Sequence, residues 1–384
     1  MKIVQFISRI RLEEGGVVRA VLDLCGALAA SDHDVTLMTL DAGDAPRQWR
    51  DGGAGFPQVL TLCRRMGRLP WLSRQATTQA GEWIGQADIL HLHGPWDPVG
   101  LQLSRVARRA GVAYVVSLHG MLDDSCMARK ALKKRLYLRA VGKRFLEQAA
   151  YVHCTAQAER DQSCKWYPRG RSQIVPLIFD LTPFERLPGP QLARKTYPQA
   201  FTGKPVVLFV GLMKPLKRVE LLIESAAILR EDGHDLKLLI AGTGDQGYEG
   251  QLRRLVKQLR LEDRVEFLGF VGGLEKLSLY QAADVFVLPS RHENWGFVIV
   301  EALLCQTPVI TTRGVAIWRE LEDGGGTIVV EDTPRALAEA IEALVSDQPR
   351  RQDMAQAGRD WVRRFLDVDE LVGQYVSLYG RTVR

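Results

Sequence analysis

Short apolar runs alternate with amphipathic stretches along almost the whole chain. The runs are rich in Val, Ile and Leu and do not alternate with polar residues, which is the pattern of parallel strands buried on both faces. Predicted strands cover residues 2–8, 34–40, 89–93, 113–118, 151–155, 173–177, 206–210, 236–241, 265–268, 285–289, 309–312 and 327–330. Helical patterns lie between them, as at 17–30, 132–150, 219–230 and 296–304. This alternation predicts doubly wound α/β architecture.

The alternation is interrupted at residues 181–204, which contain four prolines and few apolar runs. We interpret this segment as an interdomain linker. It separates a predicted N-terminal domain at 1–180 from a C-terminal domain at 205–365, and two domains suit a chain of 384 residues. The amphipathic segment 366–384 is expected to form a helix that returns to the first domain. Ligands of parallel sheets bind beyond the carboxyl ends of the strands, so chemistry is expected in the loops that follow strands.

Charge is unevenly distributed along the chain. The net charge is +6, and residues 1–180 alone carry 25 Lys/Arg against 17 Asp/Glu. A basic first half indicates an anionic partner, which could be nucleic acid, a phosphorylated acceptor or a membrane surface. From Arg129 to Arg144 there are eight basic residues and no acidic one, with leucines at roughly helical spacing. This pattern predicts a basic amphipathic helix suited to anionic lipid, although a solvated charged face explains it equally well.

The six cysteines form no C-x-x-C pair and have no histidine at zinc-finger spacing. Free cysteines in apolar runs favour a reducing, cytoplasmic compartment. The apolar run at the N-terminus is too short and too often interrupted for a signal peptide. No stretch approaches the roughly 18 apolar residues that span a bilayer.

The most informative segment is residues 284–315. A buried strand ends in a polar loop containing Glu293, and a helix containing Glu301 follows. The free N–H groups and positive dipole end of such a helix suit an anionic diphosphate. Glu293 could accept hydrogen bonds from sugar hydroxyls, and Glu301 could hold a ribose. The alternative is a loop carboxylate and a solvated helix face. However, Glu301 lies among apolar residues, where a carboxylate is costly to bury unless it binds something.

The run PSRHENWGFVIVEALLCQTPVI resembles the signature of family-4 retaining glycosyltransferases of the GT-B fold (glycosyl transferases group 1). That signature has two Glu separated by seven residues, Gly three after the first, then Glu-Ala and a later Thr-Pro-Val-Ile. The resemblance extends in order and spacing over nearly the whole chain. It implies two Rossmann-like, doubly wound parallel-sheet domains that face a cleft. It also implies transfer of a hexose from a UDP- or GDP-linked sugar to an acceptor hydroxyl with retention, typically in bacterial exopolysaccharide, lipopolysaccharide or glycolipid synthesis.

The resemblance assigns Glu293 to the donor sugar and Glu301 to the nucleotide ribose. The backbone between them is implied to line the sugar and phosphates, at Asn294, Trp295, Gly296, Phe297 and Val298. The family more often has Gly where this chain has Asn294.

A basic donor clamp is also implied, in the family pattern Gly-Arg-Leu, three variable residues, Lys, Gly. This chain has Lys217 at the Lys position, Leu212 where Arg is usual and Arg218 where Gly is usual. A diphosphate leaving group needs positive charge fixed in place as its bond breaks. Lys217 supplies one charge, and Lys214 or Arg218 is the candidate for the other, unless both belong to an ordinary exposed loop.

Further loops are assigned by the same resemblance. Gly242 and Gly244 are placed near the donor phosphates and nucleoside, and Phe270 lies in the segment 267–271, which is implied to contact the base through its backbone. Gly15 and Gly16, before a long helix, are placed near the donor phosphate and the acceptor. Each glycine could instead serve only a tight turn, and no G-x-G-x-x-G fingerprint is present.

Three histidines follow strand patterns and are candidates for the acceptor side. A single histidine is more often packed than catalytic. The resemblance places His119 near the transferred sugar, so His119 is predicted to be catalytic with Glu293 and Lys217. His93 and Asp97 are weaker acceptor-side candidates.

Two D-x-D matches, starting at Asp32 and Asp367, resemble a metal–diphosphate motif of an unrelated fold. They lie at a turn and a helix start, where Asp is a capping residue. We therefore expect metal-independent transfer with no cofactor, the nucleotide sugar being a substrate. Expected partners are that donor, a saccharide, lipid-linked or small-molecule acceptor, and an anionic membrane surface that the basic helix contacts from the cytoplasm, but no nucleic acid.

Other functions stay open at this stage. A sugar-nucleotide epimerase or phosphorylase would share the architecture, although no phosphate or pyridoxal site is evident. An NAD-dependent dehydrogenase is disfavoured by the missing fingerprint. A sugar-nucleotide-binding or scaffold protein that lost activity with the clamp Arg at Leu212 is the non-enzymatic alternative.

Overall fold

The computed structural model describes residues 1–53, 55–65 and 71–382. Two compact units emerge: Met1–Asp180 with Leu366–Arg384, and Leu181–Phe365. The predicted first domain includes residues 54 and 66–70, and the predicted last helix includes 383–384, all of which lie outside the described residues. The segment 181–204, expected as a linker, lies within the second unit.

Each unit contains one sheet in which every strand pairing is parallel. The first has the order β3-β2-β1-β4-β5-β6-β7 and the second β10-β9-β8-β11-β12-β13. The strands of the first sheet are β1 (Lys2–Phe6), β2 (Asp34–Thr39), β3 (Gln58–Thr61), β4 (Ile89–His93), β5 (Ala113–Ser117), β6 (Tyr151–Cys154) and β7 (Ser172–Ile174). Those of the second are β8 (Val206–Val210), β9 (Lys237–Ala241), β10 (Val265–Gly269), β11 (Val285–Leu288), β12 (Val309–Thr312) and β13 (Thr327–Val330).

The helices flank these sheets in sequence. The first unit contains α1 (Gly16–Ala30), α2 (Arg47–Arg50), α3 (Arg74–Ile84), α4 (Pro98–Arg109), α5 (Asp124–Ala128), α6 (Ala131–Tyr137), α7 (Lys143–Glu147), α8 (Gln157–Ser163) and α17 (Val368–Gly380). The second contains α9 (Gln191–Thr196), α10 (Val219–Glu231), α11 (Gln246–Gln258), α12 (Gly273–Ala282), α13 (Phe297–Leu304), α14 (Trp318–Asp323), α15 (Pro334–Val345) and α16 (Gln348–Phe365). Both units are therefore doubly wound α/β structures, as the hydrophobic pattern predicted.

Both sheets reverse their strand order at one point, between β1 and β4 in the first and between β8 and β11 in the second. A crevice opens at such a reversal because the connections on either side leave in opposite directions, and ligands of doubly wound sheets bind there. The loops that follow β1, β4, β8 and β11 are thus the first places to look for a site.

Strand β3 was not predicted. It is a four-residue edge strand that pairs only with β2 among the described residues, and none of its residues is fully buried. Its sequence, Gln-Val-Leu-Thr, has only two apolar residues in a row, so it lacks the continuous apolar run that identified the other strands.

Residues 181–204 contain α9, which packs on α12. Ser278 of α12 accepts a hydrogen bond from the Ala193 N–H at 2.9 Å, and its own hydroxyl donates to the Gly189 carbonyl at 2.6 Å. These contacts make the proline-rich segment part of the second unit.

The predicted basic helix is interrupted. Between α6 and α7 the segment Leu138–Gly142 forms a π-helical turn. Leu138 and Phe145 face the core, whereas Leu132 and Leu136 are 74% and 58% exposed. No helix in the described part of the chain is both long enough and apolar enough to cross a bilayer.

The last helix, α17, belongs to the first unit. Asp367 caps it by accepting a hydrogen bond from the Glu370 N–H at 2.9 Å, which agrees with the capping interpretation of the second D-x-D match. Tyr375 and Tyr379 of α17 are fully buried.

Candidate functional site

An ion pair joins the two strands at the reversal of the second sheet. Lys217 follows β8 and Glu293 follows β11, and the Lys217 Nζ contacts the Glu293 Oε2. The two side chains are 19% and 21% exposed, so the pair is largely shielded from water. Two of the three predicted catalytic residues therefore meet at the point where this sheet topology favours a ligand.

The surroundings of this pair are electropositive. Burial, together with the positive charge of Lys214, lowers the pKa of Lys217 to about 8. Burial and the charge of Lys217 also lower the pKa of His292. These shifts report a partly desolvated region where another positive charge is unfavourable and an anion is favoured.

The backbone of Glu293 is fixed by the loop after β12. Its N–H donates to the Gly314 carbonyl at 2.9 Å, and its carbonyl accepts from the Ala316 N–H at 2.8 Å. A Cβ on Gly314 would lie 2.1 Å from the Ser290 carbonyl oxygen, so only glycine allows this approach. The carboxylate therefore projects from a rigid support.

The clamp lacks its usual arginine, and Arg218 does not replace it. Arg218 adopts a left-handed conformation with φ 52°, which explains why the family usually has Gly here. Its guanidinium bonds to Glu220 at 3.3 Å and Asp332 at 2.7 Å. Leu212 is 42% exposed. Lys214 is exposed and has no ion pair within the described residues, which leaves it as the candidate second cation.

Gly242 and Gly244 have a structural reason to be glycine. A Cβ on Gly242 would lie 1.9 Å from the Gly211 carbonyl oxygen, and one on Gly244 would lie 2.0 Å from the Met213 carbonyl oxygen. The loops after β8 and β9 are thus in backbone contact. This packing explains the glycines without a phosphate, so their donor role stays a prediction.

Helix α13 begins after Gly296, which has φ 77° and ψ 56°. The Trp295 side chain is buried and stacks against Phe365 with ring centroids 6.2 Å apart. The expectation for Trp295 concerned its backbone, which this packing of the side chain leaves available, so its donor role stays a prediction. Phe297 and Val298, at the first helical turn, are half-buried, as is Asn294 before it.

Glu301 is held by two residues of α12 that the sequence did not single out. Its carboxylate accepts from the Lys276 ammonium at 2.7 Å and from the Tyr280 hydroxyl at 3.0 Å. The cost of burying this carboxylate is thus offset within the protein, which weakens the argument that burial alone implies a ligand. The only clue in the sequence was that Lys276 and Tyr280 are four positions apart, which places them on the same face of a helix.

Phe270, directly after β10, is 81% exposed. So large an exposed aromatic surface at the carboxyl end of a strand is available for stacking on a planar ligand.

In the first unit, His119 lies two residues beyond β5 in a left-handed conformation with φ 52°, and Gly120 follows with φ 73°. The buried carboxylate of Glu159 accepts from the Gly120 N–H and from the Thr155 N–H. Glu159 therefore fixes the loop that aims His119, a role that its helical sequence context did not reveal.

His93 has no free ring nitrogen. One nitrogen contacts Gln5 at 2.8 Å and the other contacts His119 at 3.0 Å. Asp97 caps α4 by accepting from the Val99 N–H at 2.8 Å, and burial raises the pKa of Asp97. Both acceptor-side candidates thus have structural duties, and both ring nitrogens of His93 are engaged.

A pocket of about 420 Å³ opens at the reversal of the first sheet. It lies between the loop after β1 and the loop after β4, where His93 and Asp97 form part of the wall. Its cations are Arg9, which pairs with Glu14 at 2.9 Å, and Arg64. The N-terminal end of α1 borders the pocket. Gly15 precedes this helix with φ 108°, and Gly16 is its first residue.

Within the described residues no three His, Cys, Asp or Glu side chains are grouped as ligands for a metal ion. Metal-independent transfer without a cofactor stays an expectation, since this arrangement does not test it.

Comparison with known proteins gives two family matches. Residues 14–182 match the family described as Glycosyltransferase Family 4, and residues 195–361 match Glycosyl transferases group 1. A D-inositol 3-phosphate glycosyltransferase of Pseudarthrobacter chlorophenolicus is 31% identical over 290 residues, covering 71% of this chain and 66% of that protein. One from an Arthrobacter species is 29% identical over 364 residues, covering 90% and 85%.

Solved structures share the fold. Anabaena HepE in complex with UDP superposes with a TM-score of 0.78 at 20% identity, covering 98% of this chain and 99% of that one. Sucrose-phosphate synthase from Thermosynechococcus elongatus gives 0.74 at 22% identity, covering 99% of each chain. The chain belongs to the glycosyltransferases of family 4 and group 1, with the GT-B fold.

Proposed function

We propose that this chain transfers a hexose from a UDP- or GDP-linked sugar to an acceptor hydroxyl with retention of anomeric configuration. The observation that carries the proposal is the shielded Lys217–Glu293 pair at the reversal of the second sheet. A cation at this point stabilises the diphosphate as its bond to the sugar breaks. A carboxylate beside it accepts hydrogen bonds from sugar hydroxyls.

Without a donor, the two charges neutralise each other. A bound diphosphate replaces Glu293 as the ion-pair partner of Lys217, and Lys214 is the second cation. The Glu293 carboxylate then accepts hydrogen bonds from the sugar. Glu301, held by Lys276 and Tyr280, presents a fixed acceptor to a ribose hydroxyl. The exposed ring of Phe270 stacks on the base. Anabaena HepE was crystallised with UDP-glucose, which supports a uridine nucleotide.

The acceptor binds in the pocket of the first unit. Arg9 and Arg64 suit an anionic acceptor, and the relatives named for D-inositol 3-phosphate support a phosphorylated one. We propose no metal and no carboxylate nucleophile. Instead the leaving diphosphate helps to deprotonate the acceptor hydroxyl on the same face of the sugar.

We also propose contact with an anionic membrane, which the surface of α6 supports. Leu132 and Leu136 are exposed one helical turn apart, flanked by the exposed cations of Lys133 and Arg135. Apolar side chains enter the interface while lysines and arginines bind anionic headgroups. This supports a lipid-linked acceptor and a place in envelope polysaccharide or glycolipid synthesis.

Donor binding and turnover are tested in two steps. A thermal-shift screen with UDP-, GDP- and ADP-sugars identifies the donor, since ligand binding to the folded state raises the melting temperature. Donor-dependent product formation is then measured for Glu293→Ala and for the control Arg313→Ala, which breaks an exposed pair with Glu331. We expect loss only for Glu293→Ala. Binding without turnover in the unmodified chain would instead favour a sugar-nucleotide-binding or scaffold protein.

Membrane contact is tested by co-sedimentation with anionic vesicles at low salt. The double variant Leu132→Ser, Leu136→Ser should release the chain from them. Absence of binding by the unmodified chain would end this part of the proposal.

A further inference from the structure

Four buried histidines of the first unit are joined in one continuous series of hydrogen bonds, which we call the histidine chain. It crosses β1, β4, β5 and β6 and includes a tyrosine of α17. Its members, in order, are His119, His93, Gln5, Tyr379, His91, Ser117, His153 and the carbonyl of Val175.

The far end sets the direction of every hydrogen bond. The Val175 carbonyl can only accept, so the His153 Nε2, 2.8 Å away, carries a proton. Burial lowers the pKa of His153 to about 4, so the ring is neutral and its Nδ1 accepts from the Ser117 hydroxyl at 2.6 Å. The Ser117 oxygen then accepts from the His91 Nε2–H at 2.7 Å.

The same reasoning continues through α17. Burial lowers the pKa of His91, so its neutral ring accepts at Nδ1 from the Tyr379 hydroxyl at 2.8 Å. The Tyr379 oxygen accepts from the Gln5 Nε2–H at 3.2 Å. This fixes the orientation of the Gln5 amide, whose Oε1 must face His93.

The near end is thereby determined. The Gln5 Oε1 accepts from the His93 Nε2–H at 2.8 Å, and the His93 Nδ1 accepts from the His119 Nε2–H at 3.0 Å. All four imidazoles carry their proton on Nε2. The His119 Nδ1 has no partner among the described residues although the side chain is only 7% exposed.

We propose that Tyr379 is a positioning residue that, through the histidine chain, holds His119 as the Nε2–H tautomer with Nδ1 ready to accept a hydrogen bond from a substrate hydroxyl. The tautomer follows from the hydrogen bonds between these buried, neutral rings, whereas the substrate contact rests on the proposed function. Burial lowers the pKa of His119 to about 3, which keeps this acceptor unprotonated at neutral pH.

Removing the Tyr379 hydroxyl should allow the hydrogen bonds of the histidine chain to reverse their direction. In Tyr379→Phe the Gln5 amide loses its acceptor and can turn over, so that its NH₂ group faces His93. His93 then takes its proton on Nδ1, and His119 follows. Tyr375→Phe is the matched control. Tyr375 is also fully buried on α17, but among the described residues its hydroxyl makes a single contact, to the His153 Nε2 at 3.4 Å, which lies outside the series.

The test is ¹⁵N NMR of the histidine side chains at neutral pH in the full-length chain, which distinguishes protonated from unprotonated ring nitrogens. Signals of His33, His234 and His292 are assigned by replacing each in turn. The remaining four rings should all be neutral with Nε2 protonated. Tyr379→Phe should add Nδ1–H signals, and Tyr375→Phe should not. A protonated Nδ1 among the four in the unmodified chain, or identical spectra for Tyr379→Phe, would overturn the proposal.

An activity measurement separates this inference from the proposed function. Loss of one hydrogen bond in the series should lower kcat about tenfold for Tyr379→Phe, with the donor KM unchanged. Tyr375→Phe should retain full kcat. If the chain transfers no sugar, the proposed function fails while the NMR result still decides the tautomer. Equal kcat for both variants would contradict the positioning role.

Discussion

The two units share a strand order, but the side chains that hydrogen-bond to one another across the reversal of the sheet differ in charge between them. In the second unit the reversal is bridged by a charged pair, Lys217 and Glu293. In the first, the strands beside the reversal contribute Gln5 and His93 to a series of hydrogen bonds whose side chains are all neutral. A nucleoside diphosphate requires compensating charge, whereas a substrate hydroxyl can be held by a neutral hydrogen-bond acceptor.

This difference shows where function is encoded in a repeated architecture. Strand order brings the loops together, but the few residues at each strand end decide the electrostatics. β4 ends in His-Leu-His and the segment after β11 reads Pro-Ser-Arg-His-Glu. The predictions below test the charged and the neutral half separately.

The largest effect is expected on the charged side. Lys217→Ala and Glu293→Ala should each lower kcat/KM on the order of 100- to 1,000-fold, because a fixed charge at the breaking bond contributes about that much. Steady-state kinetics with the donor found by thermal shift measures this. Arg313→Ala should match the unmodified chain. Equal rates for all variants would remove the charged pair from the mechanism.

His119 should have the largest effect on the neutral side. His119→Ala is expected to lower kcat about 100-fold, at the lower end of what positioned acid–base and hydrogen-bonding groups contribute. His119→Asn, whose carbonyl oxygen can take the place of Nδ1, should recover part of the rate, and His119→Gln should not. Equal rates for Asn and Gln would show that Nδ1 is not the contacting atom.

The pH profile distinguishes the two halves at a smaller scale. Lys217 is charged below its lowered pKa of about 8 and loses its charge above it, so donor affinity should fall up to about tenfold per pH unit above pH 8. Lys217→Arg should flatten this limb, because guanidinium stays protonated. Burial lowers the pKa of His119 to about 3, so it should add no transition between pH 5 and 8. Donor binding measured from pH 6 to 10 checks both statements.

The smallest effect is expected at Glu301. Glu301→Gln keeps one oxygen for a ribose hydroxyl but weakens the bond, so the donor KM should rise about threefold to tenfold with kcat unchanged. Kinetics with the same donor and with its 2′-deoxyribose analogue check the assignment. The loss caused by the variant and the loss caused by the analogue should not be additive. Additive losses would show that the ribose hydroxyl binds elsewhere.

The fold could be predicted, and Glu293 and Glu301 could be singled out, because both depend on local signals. Central strands have continuous apolar runs, and the spacing of Glu293 and Glu301 is a contiguous motif. Edge strand β3 lacks that signal.

The residues that support the sites are distant in sequence. Gln5 and Tyr379 are 374 positions apart, and only the folded first unit brings them together. The polar Gln5 within an apolar strand was a local clue, but its partner was not predictable.

The most direct test of the central claim is calorimetric titration with the nucleoside diphosphate of the donor that gives the largest thermal shift. The unmodified chain and Arg313→Ala should bind it with the same Kd, and Lys217→Ala should bind at least about tenfold more weakly, because one charge-assisted contact is lost. Equal affinity for Lys217→Ala, or no binding of UDP, GDP or ADP by the unmodified chain, would contradict the assignment of the donor site.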